Sequence, residues 1–254
     1  MSDVRNAGGR DSEDGAVPAW PGADVAAVDA AYERGEIDDD GWHRAMAAHI
    51  VPAYLAGDVR RGSGHSGTAE DWEYSRGIVA ELLDPELRAP PRQDPDRAFT
   101  FLDVGCANGL LMESVARWRR NIEPYGLDIS PELAAHARAR LPHWADRIFV
   151  GNALGWEAPR RFDVVRTGLE YVPRPRRREL VAHLVATTDL LIVGKYNEDA
   201  KNGAIERDLR DWGFAIERTV ERAHRSDARL RYRAIAIRSC GAAASATLAS
   251  RASP

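Results

Sequence analysis

The 254-residue chain predicts an α/β fold: a seven-stranded, mostly parallel sheet with an antiparallel C-terminal hairpin, preceded by an N-terminal helical segment. Three observations carry this expectation. From about residue 98 onward, short apolar runs alternate with amphipathic stretches, the order that builds parallel strands joined by crossover helices. The last two runs, Ala215–Arg222 and Leu230–Arg238, have no helix between them and can only pair as a hairpin. Between Phe101 and Leu111 an apolar strand carrying Asp103 near its end passes through the turn Gly105-Cys106-Ala107-Asn108-Gly109 into a helix.

Taken in order, residues 1–17 are polar and rich in Gly, Asp and Ser, and read as a disordered tail. Residues 18–97 form the helical segment. Asp24 to Ala56 carries two short helices, one with Val25, Val28, Ala31 and Tyr32 on a face, the other with Trp42, Met46, His49 and Ile50. The acidic run Glu36, Asp38, Asp39 and Asp40 connects them, with Asp40 expected to cap the second. Gly57 to Ala69 reads as a flexible loop containing Arg60, Arg61 and His65, and helical spacing resumes through Trp72, Arg76, Ile78 and Leu82. Pro90, Pro91 and Pro95 mark the entry to the core, residues 98–239.

The core opens with the strand Ala98–Val104 and the helix Asn108–Trp118. The strand Glu123–Asp128 precedes a helix whose start is written as Ser130 at the N-cap, Pro131 at the first helical position and Glu132 in the first turn. Strands Arg147–Val150 and Phe162–Arg166 follow, then a helix over Arg176–Ala186, a strand Leu190–Lys195 and a helix Gly203–Trp212 before the hairpin. Residues 240–254, rich in Ala and Ser, read as a second disordered tail.

A hydrophobic content of 44% is ample for a core, and a net charge of -4 argues against a nucleic-acid binder relying on bulk charge. The two cysteines, Cys106 and Cys240, build neither a disulfide framework nor a zinc cluster, which suits a reducing compartment. No run approaches the roughly 18 apolar residues of a membrane span, so a soluble, cytoplasmic protein is expected.

The glycine turn carries the chemistry. Gly105 and Gly109 let the backbone turn tightly and approach a ligand, and the helix that follows aims free N–H groups at it. A dinucleotide site wants G-x-G-x-x-G, but the spacing here is G-x-x-x-G, and the carboxylate of Asp103 just before it would repel a phosphate. That acid suits a cofactor with a cationic amino-acid end. Asp128, 25 positions later at the end of the next strand, suits a ribose diol, whose two hydroxyls can donate to one carboxylate.

The run from Phe101 to about Pro173 resembles the Rossmann-like core of the class I S-adenosylmethionine (SAM) dependent methyltransferases. The resemblance implies that SAM is the cofactor, that Asp103, Gly105, Ala107 and Gly109 border its methionine part, and that Asp128, with Ile129 beside it, holds the ribose. It further implies that Asn152, with Ala153, stands where related enzymes often carry an acid that accepts from the adenine amino group, and that Thr167 and Leu169 complete the cofactor wall. The N-terminal segment resembles the lid of such enzymes, with Trp72 covering SAM and Arg76 reaching its carboxylate. The same two residues equally fit a core anchor and an ion pair with a surface acid.

Arg166 to Pro173 is the segment that lies between cofactor and acceptor in this fold. It carries neither the Asn/Asp-Pro-Pro-Tyr signature of enzymes methylating nucleobase amines nor the Pro-Cys nucleophile of cytosine-carbon methylation. Glu170, Tyr171 and His65 are the candidate catalytic residues, since an alkylammonium must give up a proton before its lone pair can attack. No acid and His cluster has metal spacing, which favours nitrogen over oxygen as the acceptor atom. The expected acceptor is a small molecule, an amine of a natural product of aminoglycoside-like kind. Two alternatives stand beside it: an RNA methyltransferase docking through Arg160, Arg161, Arg174, Arg176, Arg177 and Arg178, and a SAM-binding protein that does no chemistry. His43, His49, His136, His143, His183 and His224 read as surface or packing residues.

Overall fold

The computed structural model describes residues 22–56, 68–88, 98–119, 121–199, 201 and 203–239. Three helices come first: α1 (Gly22–Glu33), α2 (Asp39–Ala56) and α3 (Ala69–Arg88). The alternating core follows, with β1 (Phe99–Val104), α4 (Leu110–Trp118), β2 (Ile122–Asp128), α5 (Pro131–Arg140), β3 (Ile148–Val150), β4 (Phe162–Gly168), α6 (Arg177–Thr187), β5 (Thr188–Asp199), α7 (Ala204–Asp211), β6 (Ile216–Ala223) and β7 (Leu230–Arg238). The seven strands form one sheet in the order β3-β2-β1-β4-β5-β7-β6. Strands β1 to β5 run parallel, and β7 is antiparallel to both of its neighbours. The expected fold class is the observed one.

Each central strand is buried on both faces, as a sheet covered by helices requires. Alternate residues serve opposite cores. Phe101, Val164 and Ile192 pack under Ile78, Leu82 and Leu83 of α3 and Leu111 and Val115 of α4. Leu102, Val165, Leu191 and Val193 pack on the other face against Leu180 and Leu184 of α6 and Leu209 of α7. Burying such a Leu or Ile contributes roughly 1.5–3 kcal/mol relative to exposure, so α3 is an integral core helix. The N-terminal segment therefore divides: α3 is welded to the sheet, whereas α2 lies over the ends of its strands.

Local codes read from the sequence appear where their chemistry is local. The Ser130 hydroxyl accepts from the Leu133 N–H (3.2 Å) with Pro131 opening α5. One cap is corrected. Asp38, not Asp40, receives the Gly41 N–H (2.8 Å), because α2 begins at Asp39, two residues earlier than expected, and Asp40 sits inside its first turn. Strand β5 also outruns its apolar core: after an irregularity, Glu198 pairs with Arg231 and Asp199 with Leu230 on β7. That extension is set by the partner strand and is invisible to local periodicity.

Candidate functional site

The carboxyl ends of β1, β2, β3 and β4 line up on one rim, and α2 roofs them. The space between is divided into two chambers that share Tyr54, Gly105, Ala107 and Tyr171 as common wall. The larger, roughly 810 Å³ including its mouth open to solvent, is mainly apolar: Trp42, Met46, Ile50 and Tyr54, spaced four apart on α2, face Asp128, Ile129, Asn152, Ala153 and Thr167 across it. The smaller, about 420 Å³, is polar and aromatic, with Trp72, Arg76, Asp103, Arg166, Glu170 and Tyr196 in its wall.

The turn after β1 is shaped by backbone geometry. Gly105 adopts φ 79° and Gly109 φ 75°, and Ala107 also has a positive φ of 47°, uncommon for a residue with a Cβ. Bonds hold it there. The Gly105 and Cys106 N–H groups both donate to the Leu127 carbonyl (2.8 and 3.1 Å), and the Ala107 N–H donates to Asp128 Oδ2 (2.7 Å). Asp128 Oδ1 accepts from the Ser130 N–H (2.9 Å). Each carboxylate oxygen of this buried side chain thus keeps lone-pair capacity for a ligand hydroxyl. Burial raises the Asp128 pKa, against the pull of those backbone donors.

Asp103 is 2% exposed and pairs with Arg166 (Oδ1 to Nη1, 3.1 Å), its register partner on β4. Burial pushes the Asp103 carboxyl up to about 6 even with the guanidinium beside it. Burial opposes the Arg166 charge too, but Tyr196 and Asp103 more than offset it and the guanidinium stays charged. A second Arg166 nitrogen, Nη2, donates to the Tyr196 hydroxyl (3.2 Å). The Arg76 guanidinium lies 3.7 Å from the centre of the Tyr196 ring and 4.6 Å from that of Trp72.

Trp72 Nε1 donates to Ser114 Oγ (3.2 Å) inside the α3–α4 core, and the same side chain walls the polar chamber. Arg76 lines the polar chamber, with Nη1 donating to Ser75 Oγ (2.9 Å). Glu170 places Oε2 in a buried position with no hydrogen-bond partner among the described residues. Burial, then the neighbouring Tyr54 and Glu170, drives the Tyr171 pKa well up, and burial raises Tyr54 as well, so both remain protonated phenols. Burial lowers the His43 pKa; its Nδ1 contacts the Asp39 carbonyl (2.7 Å), which fixes Nδ1 as the protonated nitrogen of a neutral ring.

Other expected residues fall differently. Gly109 and Leu169 line neither chamber: Gly109 turns the chain into α4, and Leu169 is buried in the core against α6 and α7. Asn152 lines the apolar chamber with Oδ1 already accepting the Leu154 N–H (3.1 Å). His65 lies outside the described residues. Within the arginine cluster, Arg161 is tied to Asp189 and Ser239, Arg177 to the Val172 carbonyl, and Arg176 to Asp39 and Glu179. Among the described residues no group of three metal-ligating side chains comes together, and no helix is long and apolar enough to cross a membrane.

Sequence reading missed Arg166, Tyr196, Tyr54 and the roof residues of α2. A signal for the first two exists. Asp103, Arg166 and Tyr196 lie two, two and four residues beyond Phe101, Val164 and Ile192, so the strand period puts them on the same face.

An apolar chamber that fits a base, a carboxylate with free lone pairs at its rim and a charged chamber beyond a glycine turn together suit a nucleoside bearing a zwitterionic tail. The sheet order and the glycine turn are those of the class I SAM-dependent methyltransferase fold. Residues 101–188 match the family model described as a methyltransferase domain. Among solved structures, the chain is similar to magnesium protoporphyrin IX methyltransferase (ChlM) from Synechocystis PCC 6803 with bound SAM, at 20% identity and TM-score 0.50, covering 67% of this chain and 82% of that one. It is also similar to a proposed RNA methyltransferase from Pyrococcus horikoshii, at 11% identity and TM-score 0.51, covering 76% and 96%. At these identities the likeness is one of fold. Comparison with curated protein sequences gives no match.

Proposed function

We propose that this methyltransferase acts in the cytoplasm on an amine nitrogen of a small molecule, of aminoglycoside-like kind, with Glu170 as the proton acceptor. The observation that carries the reading is the buried, unpartnered Oε2 of Glu170 next to the Tyr171–Tyr54 wall where the two chambers meet. Two phenols held protonated can donate or position but cannot take a proton, which leaves the carboxylate for that task. A hydroxyl acceptor would need a stronger base or a metal, and a carboxylate is suited to an ammonium.

SAM supplies an electrophilic methyl on a sulfonium. In this reading Asp128 takes the ribose hydroxyls, Asn152 and Ala153 border the adenine under the α2 roof, Asp103 takes the amino-acid ammonium and Arg76 its carboxylate. Catalysis is then mostly alignment and exclusion of water, with Glu170 drawing the proton from the ammonium so that its lone pair is free.

Incubation with isotope-labelled SAM and a panel of amines, phenols and RNA, read by mass spectrometry, tests it: an amine gains the label. The Glu170→Gln variant is expected to lose roughly 10²–10⁴-fold in kcat at nearly unchanged affinity for S-adenosylhomocysteine. Labelling confined to phenols or RNA, or loss of cofactor binding in the variant, refutes the assignment.

A further inference from the structure

We infer that Tyr196 is a positioning residue that sets both grips on the amino-acid end of SAM at once. Its ring face carries Arg76, 3.7 Å from ring centre to guanidinium carbon, and its hydroxyl accepts from Arg166 Nη2 at 3.2 Å. Arg166 in turn holds Asp103 through Nη1 at 3.1 Å. One side chain at the end of β5 therefore connects the cation proposed for the carboxylate with the acid proposed for the ammonium. The inference rests on that assignment of Arg76 and Asp103.

The physical need is clear from the groups involved. Two guanidinium groups and two carboxylates crowd a chamber of about 420 Å³. A long Arg side chain left unrestrained forfeits rotamer entropy each time it binds and can swing onto Asp103 or Glu170, closing the site on itself. Stacking on Tyr196, with Trp72 behind, orders Arg76 before the ligand arrives, and preorganisation of this kind appears as affinity. The hydroxyl does the same for Arg166: it satisfies Nη2, so only Nη1 remains committed to Asp103 and Oδ2 of that carboxylate is left for the ligand.

The test separates the two ends of the cofactor. S-adenosylhomocysteine carries the amino-acid end, and 5′-methylthioadenosine lacks it, so the second probes the apolar chamber alone. In the full chain, Tyr196→Phe keeps the ring under Arg76 and removes the hydroxyl; S-adenosylhomocysteine affinity is expected to fall roughly fivefold. Tyr196→Leu removes both contacts and is expected to lower it about 30-fold. Affinity for 5′-methylthioadenosine should stay within about twofold of the wild type in both variants.

Equal losses for the two nucleosides would make Tyr196 a merely structural residue and overturn the proposal, as would unchanged S-adenosylhomocysteine binding in Tyr196→Leu. A wild-type chain binding 5′-methylthioadenosine as tightly as S-adenosylhomocysteine would instead remove the assignment of Asp103 and Arg76, and this inference with it.

Discussion

Asp103 and Arg166 stand opposite each other on neighbouring parallel strands, 3.1 Å apart, both almost wholly out of solvent. A pair of this kind is costly to bury, because mutual attraction only partly offsets the lost hydration of two charges. Among the described residues the Arg166 Nε has no hydrogen-bond partner, so the pair is not fully hydrogen-bonded there. A protein selected for stability alone would fill the position with apolar side chains. In the proposed reading the pair is held ready for the charged amino-acid end of the cofactor.

Removing one partner should therefore be worse than removing both. Asp103→Leu leaves a buried cation uncompensated and is expected to cost about 3–5 kcal/mol in urea unfolding. The double variant Asp103→Leu with Arg166→Met should recover most of that stability while failing to bind S-adenosylhomocysteine. A double variant as unstable as the single one would show that the pair is structural.

The raised Asp103 pKa gives stability and binding opposite pH dependences. With the acid at about 6 in the folded chain against 3.8 unfolded, its contribution to stability is fully present below 3.8 and is lost as pH rises through about 6. The loss should appear as the difference between wild type and Asp103→Asn in urea titrations at pH 4 to 7. A ligand ammonium needs the carboxylate ionised, so S-adenosylhomocysteine affinity should rise with pH up to about 6 and then level, with proton release on binding. Calorimetry in two buffers of different ionisation enthalpy at pH 5.5 measures that proton; none released would exclude the contact.

The two glycines of the turn separate folding from binding. A Cβ at Gly109 would come 2.7 Å from Leu141 Cδ1, and the φ of 75° is strained for any L side chain. Gly109→Ala is expected to destabilise by about 1–3 kcal/mol. A Cβ at Gly105 meets nothing nearer than Tyr171 Cδ2 at 4.0 Å, yet it would project at the wall shared by both chambers. Gly105→Ala should cost only the backbone strain, about 1 kcal/mol, but should weaken S-adenosylhomocysteine binding by tenfold or more. Thermal melts with and without ligand distinguish the two; equal effects of both substitutions on both quantities would contradict the division.

Much of this was legible in the chain. The sheet class followed from period and order, and the placement of Asp103 and Asp128 on the rim was readable because a short glycine turn and a strand end encode it locally. Ser130 and Pro131 wrote the start of α5 for the same reason. Arg166, Tyr196 and Tyr54 escaped because the strand period puts the first two on one face without saying which strands are neighbours, and residues 30 to 142 positions apart meet only through register and the α2 roof. Leu169 was assigned to the cofactor from its neighbourhood in sequence, but the chain passes from strand to turn there and its side chain falls on the core side. Asp40 was read as a cap because three adjacent acids compete for that role, and only the backbone geometry selects Asp38.

The roof over the apolar chamber is fastened at one polar knot, and that knot should tune cofactor affinity. Arg176, just before α6, binds Asp39 at the start of α2 and is bidentate to Glu179, while Tyr32 of α1 donates to the same Asp39 (2.6 Å). Trp42 adds a second link between the two helices, Nε1 to Asp29 Oδ1 at 2.9 Å. The ion pair is about one-third exposed, so solvent screening limits it to less than about 1 kcal/mol. That is enough to change how often the roof opens. Arg176→Ala should weaken S-adenosylhomocysteine binding about threefold, with the gap to wild type closing at high salt. Protease cleavage between α1 and α2 should quicken in the variant and slow again when ligand is added. If cleavage quickens without any change in affinity, α2 is a peripheral helix and not part of the cofactor enclosure.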